Sequence, residues 1–140
     1  MGVIGFQRVE GLALFVLALL IYRDTGYPWW LFLLLWLVPD LSAAGYLANP
    51  RVGAFFYNVG HVLVGPAILL GWGLLAGSDL VTMLGAVWLS HVGGDRALGY
   101  GLKHPTSFQD THLGVIGRKA RDQLAVNPTT KPNTNPPPSA

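Results

Sequence analysis

Four apolar runs, separated by short polar connections, fill most of this chain. A membrane-crossing helix needs roughly 20 mainly apolar residues. The runs predict helices over about residues 4–22, 29–48, 53–75 and 80–102. Only 11% of the residues are charged, which is about half of what a soluble domain carries. We therefore predict an all-α fold, a four-helix transmembrane bundle formed by residues 1–103, with the lipid bilayer as its surroundings.

The last third of the chain is polar and has a different composition. Residues 104–121 predict a cytoplasmic segment in the form of a solvated surface loop. Residues 122–140 are rich in Pro, Asn and Thr. Such a composition cannot bury a core, so we predict a disordered tail.

Basic residues give the predicted helices an orientation. Four spans place both termini on the same side of the membrane. That side would carry Arg8, Arg51, Lys103, Arg118, Lys119 and Arg121, whereas the other side carries Arg23. The positive-inside rule therefore predicts cytoplasmic termini and a location in the cell membrane. The apolar interior of the chain offers no continuous basic surface, which argues against a nucleic-acid partner.

Each predicted helix carries an ionisable group in its cytoplasmic half. Counted at 1.5 Å per residue from the cytoplasmic helix ends, Glu10 lies roughly 8 Å deep, Asp40 and His61 about 12 Å, Asp95 about 10 Å and His91 about 16 Å. His91 and Asp95 are four residues apart and share one helix face. Ionisable groups at membrane depth are costly and usually face the bundle interior, where they pair, bind or react. The pattern predicts a polar pocket that faces the cytoplasm.

The residue types in this pocket point to several kinds of chemistry. The candidate catalytic residues are Glu10, Asp40, His61, His91 and Asp95, and the candidate binding residues are Tyr46, Tyr57, Asn58, Arg96 and Tyr100. His61, His91 and Asp95 are the candidate ligands of a divalent metal, because histidine and carboxylate bind zinc, iron and manganese. The chain has no cysteine, which excludes thiolate metal sites and a cysteine nucleophile.

Four functional hypotheses stay open at this point. The first is a membrane-embedded isomerase, cyclase or hydrolase that acts on a hydrophobic or lipid-like substrate by acid–base or metal-assisted chemistry. The second is a non-enzymatic protein that binds a ligand, or haem b through His61 and His91. The third is a structural bundle whose polar cluster fixes helix pairing. The fourth is transport, for which a single copy offers no continuous polar path and a homo-oligomer would be needed.

The chain also resembles a known family of small integral membrane proteins, domain of unknown function 4260. The likeness covers about residues 6–115. It is carried by Arg8 to Gly11, Pro39 to Ser42, Gly45-Tyr46, Tyr57-Asn58, His61, His91 to Lys103 and Phe108 to Gly114. The resemblance implies an integral membrane protein and brings no assigned activity, so function must be argued from the site.

Overall fold

The structure, a computed structural model, describes residues 2–116. Helices dominate this part of the chain. In chain order these are α1 (Val3–Asp24), α2 (Trp29–Trp36), a 3-10 helix (Val38–Leu47), α3 (Pro50–His61), α4 (Val64–Ala76) and α5 (Asp79–Leu98). Two short antiparallel strands follow, β1 (Asp110–Thr111) and β2 (Gly114–Val115). The prediction of an all-helical fold is confirmed, with this small sheet as an addition. The predicted tail, 122–140, and the end of the 104–121 segment lie outside the described residues.

Helix α5 is the centre of the fold. Helices α1, α2 and α4 pack against it, whereas α3 packs against the 3-10 helix. Eleven of the 20 residues of α5 are buried. Its apolar side chains Met83, Ala86 and Val87 meet Ala18 and Tyr22 of α1 in the main core. Burial of this kind lets α5 carry polar residues that a lipid-facing helix would expose to hydrocarbon.

Three stretches of the described chain are long and apolar enough to cross a membrane: Val3–Asp24, Trp29–Leu47 and Pro50–Ala76. They correspond to the first three predicted helices. Helix α5 is not among them, because His91, Asp95 and Arg96 lower its hydropathy. Membrane crossing by α5 therefore stays a prediction.

The second predicted helix changes its type in the middle. It is α-helical to Trp36 and continues as a 3-10 helix from Val38. Pro39 occupies the first turn of the 3-10 helix, where its missing N–H is tolerated. The change of helix type therefore coincides with this proline.

The third predicted helix begins earlier than expected and is broken. It starts at Pro50, where the side chain of Asn49 accepts a hydrogen bond of 2.9 Å from the N–H of Val52. The connection expected before residue 53 is therefore shorter, because Asn49 caps the helix. Val62 is extended and separates α3 from α4. Pro66 explains the break, since a proline ring clashes with the carbonyl four residues before it.

The fourth predicted helix ends four residues before the expected Leu102. Gly99 adopts a left-handed conformation, with φ of 93°, and the N–H of Tyr100 bonds to the carbonyl of Asp95 at 2.7 Å. This is a common way for a helix to stop at a glycine. Lys103 consequently lies outside the helix and can turn back toward the protein.

The segment after α5 is packed against the helices as far as residue 116. Lys103 pairs with Thr111 in a β-bridge, and the N–H of Leu102 donates to Nδ1 of His112 at 2.8 Å. Phe108 contacts Tyr46 and Tyr57 edge to face. These contacts show that this part of the segment folds back onto the helices, and its cytoplasmic location stays a prediction.

Helices α1 and α5 approach each other closely at Gly11 and Gly93. A Cβ atom on Gly11 would stand 2.8 Å from the carbonyl oxygen of Gly93, and one on Gly93 would stand 2.9 Å from that of Gly11. Both distances are too short for real contacts, so this crossing requires glycine on both sides. It fixes the position of α5 two residues before Asp95.

Candidate functional site

Asp40, His61, His91 and Asp95 converge at one point in the fold. Asp40 comes from the 3-10 helix, His61 is the last residue of α3, and His91 and Asp95 are one turn apart on α5. The Nε2 atoms of the two histidines are 3.0 Å apart. Asp40 Oδ1 lies 3.4 Å from Nε2 of His61 and 3.5 Å from Nε2 of His91. Asp95 Oδ2 lies 3.7 and 3.9 Å from the same two nitrogens.

These distances match the ligand set of one metal ion. Ligand atoms at about 2.0–2.1 Å from a metal stand about 3.3–3.4 Å apart in a tetrahedron and about 2.9 Å apart at right angles. Two of the five distances, 3.0 and 3.4 Å, fall within this range, and the other three, 3.5, 3.7 and 3.9 Å, exceed it by at most about 0.5 Å. All four ligand atoms lie within 4.8 Å of one another. A divalent ion therefore fits among them with small side-chain movements.

The hydrogen bond on the far side of His61 favours metal binding. Its Nδ1 lies 2.8 Å from the carbonyl oxygen of Tyr57. A carbonyl can only accept, so Nδ1 carries the proton and Nε2 of the neutral ring presents its lone pair to the cluster. Metal-binding histidines are typically oriented in this way. The Nδ1 of His91 is buried and has no hydrogen-bond partner among the described residues, and its ring stands edge to face with Trp36.

Tyr57 connects the cluster to a small cavity. Its hydroxyl donates to Oδ2 of Asp95 at 3.1 Å, and its ring stacks on His61 with centroids 3.7 Å apart. The cavity beside it measures about 10 Å³ and is also lined by Arg96 and Tyr100. That is room for about one water molecule. The structure thus brings these predicted binding residues to the edge of the cluster.

The arrangement of the two histidines leaves no room for haem. Haem iron with two axial histidines lies between them, with one imidazole on each face of the macrocycle. The rings of His61 and His91 are instead in direct contact, with centroids 5.0 Å apart. Carboxylates of Asp40 and Asp95 occupy the neighbouring positions. The haem hypothesis therefore does not fit this geometry.

Three predicted site residues lie away from the four ligands. Glu10 is exposed on α1, because the face of α1 that meets α5 is centred on Gly11, one residue further on. Asn58 instead holds the chain after α5, donating to the carbonyl of Lys103 at 2.9 Å and accepting from its N–H at 2.7 Å. Tyr46 packs edge to face on Phe108.

Lys103 is the neighbour of the site that the sequence did not predict. Its side chain is 4% exposed, and Nζ has no hydrogen-bond partner among the described residues. Nζ lies 4.0 Å from the ring centroid of Phe108, 4.9 Å from that of Tyr57 and 6.0 Å from that of Tyr100. Such faces attract a cation. Gly99, which ends α5 with a positive φ, marks where the chain leaves the helix before Lys103.

Substitution of Lys103 by Met is expected to give a pH-dependent gain in stability. Burial lowers the pKa of Lys103 from 10.5 to about 8, although the negative charges of Asp95 and Asp40 oppose this change. Between these two values the unfolded chain binds the proton and the folded chain does not, so wild-type stability rises as the pH increases from about 8 to about 10.5. At pH 7 the variant should be more stable by about 1–3 kcal/mol, and the difference should shrink toward pH 10.

Unfolding of chelator-treated protein in detergent at pH 7 and pH 10 measures this difference. Arg51→Met, which removes an exposed cation, is the matched control and should show little change at either pH. An equal stability difference between Lys103→Met and wild type at both pH values would contradict the assignment of a low pKa to Lys103.

Two features now define the class of this protein. It is a helical protein with membrane-compatible spans, and it carries a largely buried cluster of two histidines and two aspartates. The family model described as Domain of unknown function (DUF4260) matches residues 5–116. The chain belongs to this family, as the sequence resemblance implied. No curated protein and no solved structure matches the chain.

Proposed function

We propose that the protein is a membrane-embedded metalloprotein that binds one divalent ion through Asp40, His61, His91 and Asp95 and uses it as a Lewis acid on a hydrophobic substrate. The observation that carries the proposal is the convergence of four ligand atoms within 4.8 Å. Asp40 joins the three ligands that the sequence predicted. Two imidazoles and two carboxylates suit zinc, iron or manganese.

The charge of the cluster favours a cation. Among residues 2–116, no Lys or Arg nitrogen lies within 4.0 Å of the carboxylates of Asp40 or Asp95. The histidines are 3% and 1% exposed and Asp95 is 16% exposed, so water screens this side of the cluster poorly. A carboxylate in such surroundings is costly unless a positive charge compensates it, and Lys103 interacts with the two carboxylates only from beyond ion-pair distance. A divalent ion would balance both charges at once.

The depth of the cluster favours a hydrophobic substrate. Asp40 and His61 lie within two of the three apolar stretches that are long enough to span a membrane. Both stand at interruptions of these stretches, next to the start of the 3-10 helix and next to the end of α3. Broken helices at membrane depth commonly line binding sites. With the predicted orientation, the site faces the cytoplasmic half of the cell membrane.

The residues around the ion would have different roles in a reaction. A bound divalent ion polarises an oxygen atom of the substrate. Tyr57 orients Asp95 by its hydrogen bond, and the cavity lined by Arg96 and Tyr100 has room for about one water. Asp40, which is 49% exposed, gives the cluster its open side. This arrangement suits hydrolysis or isomerisation of an oxygen-containing lipid-like molecule.

Elemental analysis of protein purified in mild detergent, without a metal-affinity step, tests the proposal. We expect about one zinc, iron or manganese ion per chain, as a four-ligand mononuclear site requires. A chelator should remove the ion, and addition of the metal should restore it. Glu10→Gln is the matched control, because this carboxylate lies outside the cluster and should not affect metal content.

Two outcomes would contradict the metal proposal. One is wild-type protein that takes up no stoichiometric metal after the addition. The other is a loss of metal in Glu10→Gln as large as in variants of the four ligands. Either outcome would favour metal-free acid–base chemistry in the hydrogen-bonded network of Tyr57, Asp95 and the two histidines.

A further inference from the structure

An apolar groove opens beside the proposed metal site. Its volume is about 360 Å³, within the usual range of about 300–1,000 Å³ for small-molecule sites. Leu35 and Val38 form one side, at the junction of α2 and the 3-10 helix, and Leu69 of α4 and Leu84 of α5 also line it. The stretch Trp29–Leu47 changes from an α-helix to a 3-10 helix beside this groove.

The polar groups in the groove wall are turned toward the backbone. Ser42 Oγ donates to the carbonyl of Pro39 at 2.6 Å, and Trp88 Nε1 donates to the carbonyl of Gly60 at 2.6 Å. A Cβ atom on Gly60 would meet Ser42 Oγ at 2.9 Å, so a larger residue at this position would require Ser42 to move. With its hydrogen-bonding groups satisfied, the wall presents mainly hydrocarbon and aromatic surface.

The groove is continuous with the segments that hold the metal ligands. Pro39 and Gly60 in its wall immediately precede Asp40 and His61. Trp88 lies three residues before His91 on α5 and therefore shares its side of that helix. Asp40, the most exposed of the four ligands, lies on the 3-10 helix that forms part of the same wall. The four ligands do not themselves line the groove, but the three segments that carry them form part of its wall.

We propose that this groove binds the hydrocarbon chain of an amphiphilic substrate whose oxygen-bearing head group reaches the metal. The substrate class is a single-chain lipid-like molecule with a carbonyl, carboxylate or similar head. This inference rests on the proposed function and deepens it, because it assigns the two parts of the substrate to two parts of the site.

Alkyl hydroxamates of increasing chain length test the inference, because the hydroxamate head chelates metal ions and the chain probes the groove. Binding is measured by titration of metal-loaded protein in phosphatidylcholine nanodiscs. Leu84→Trp fills the groove, and Leu69→Trp fills it from a second helix. Leu80→Trp is the matched control, since Leu80 is 51% exposed one turn away on α5 and does not line the groove.

We expect acetohydroxamate to bind wild type and all three variants equally, because it has no chain to place. Decanohydroxamate should bind Leu84→Trp and Leu69→Trp about tenfold or more weakly than wild type and Leu80→Trp, since loss of a few buried methylenes already has an effect of this size. Because the variants are compared with wild type for the same probe, partition of that probe into the bilayer affects all of them equally. Metal content shows which variants are folded. If only one of the two groove variants folds, that variant alone is enough to test the inference.

The contrary outcomes separate this inference from the proposed function. Protein that takes up no metal overturns both. Protein that binds metal and acetohydroxamate but shows the same affinity of all variants for decanohydroxamate overturns only the inference. In that case the hydrocarbon chain lies in the bilayer and the groove is filled by membrane lipid.

Discussion

Replacement of His91 by Ala is expected to lower metal affinity more than about 100-fold, because even the outer partners of metal ligands change affinity by 10- to 100-fold. His91 contributes its Nε2 from the centre of the most buried helix and is 1% exposed. Its loss would leave three ligand atoms and a cavity where the imidazole was. Metal affinity of chelator-treated protein, measured by competition with an indicator, gives the effect.

A second ligand variant keeps this prediction independent of folding. The His91→Ala cavity can reduce stability by itself, whereas Asp40 is 49% exposed and its replacement by Ala leaves the core intact. Asp40→Ala should therefore lose metal affinity with little change in the stability of the metal-free protein. His112→Ala, in the segment after α5, removes a histidine outside the cluster and should bind metal like wild type. Unchanged affinity in both ligand variants would be incompatible with the proposed site.

Asp95→Asn is expected to reduce the stability of the metal-loaded protein without reducing that of the metal-free protein. Without metal, the variant should be as stable as wild type or more stable, because it removes one of two neighbouring carboxylates and keeps an acceptor for the Tyr57 hydroxyl. With metal at about 1,000 times the dissociation constant, wild type should gain about 4 kcal/mol. The variant should lose most of this gain.

Thermal unfolding with and without metal separates the metal site from a purely structural cluster. In a structural cluster, Asp95 would stabilise the bundle by its hydrogen bonds alone, and the variant would lose stability in both conditions equally. Asp79→Asn, at the opposite end of α5, is the matched control and should leave the metal-induced gain unchanged. An equal loss with and without metal would favour the structural hypothesis.

The general fold could be predicted because membrane spanning leaves a strong signal in composition. Runs of apolar residues fixed α1 to within two residues at each end, and the spacing of His91 and Asp95 fixed their common helix face. The breaks were harder to place. Pro66 interrupts the chain at Val62, four residues earlier, because the clash of a proline is with a preceding carbonyl. Gly99 ended α5, although the apolar character of the sequence continues to Leu102.

The sequence predicted the types of residue that form the site, but it identified only some of the residues that lie there. Equal depth along four helices indicated a shared polar layer, but depth does not determine direction around a helix axis. Glu10 has a suitable depth and points outward, because Gly11 occupies the contact with α5. Lys103 joins the site through contacts that depend on Asn58 and Phe108. Asn58 lies 45 residues from Lys103 in sequence, so no local pattern could predict this contact.

X-ray absorption at the metal edge tests the central claim most directly, because it reports the atoms around the ion. For wild-type protein loaded with about one equivalent of zinc, we predict two imidazole nitrogens and carboxylate oxygens at about 2.0–2.2 Å. The imidazole signal should fall by half in His91→Ala and stay unchanged in His112→Ala. A shell of oxygen atoms alone, or a spectrum that is the same in all three proteins, would contradict a metal site at Asp40, His61, His91 and Asp95.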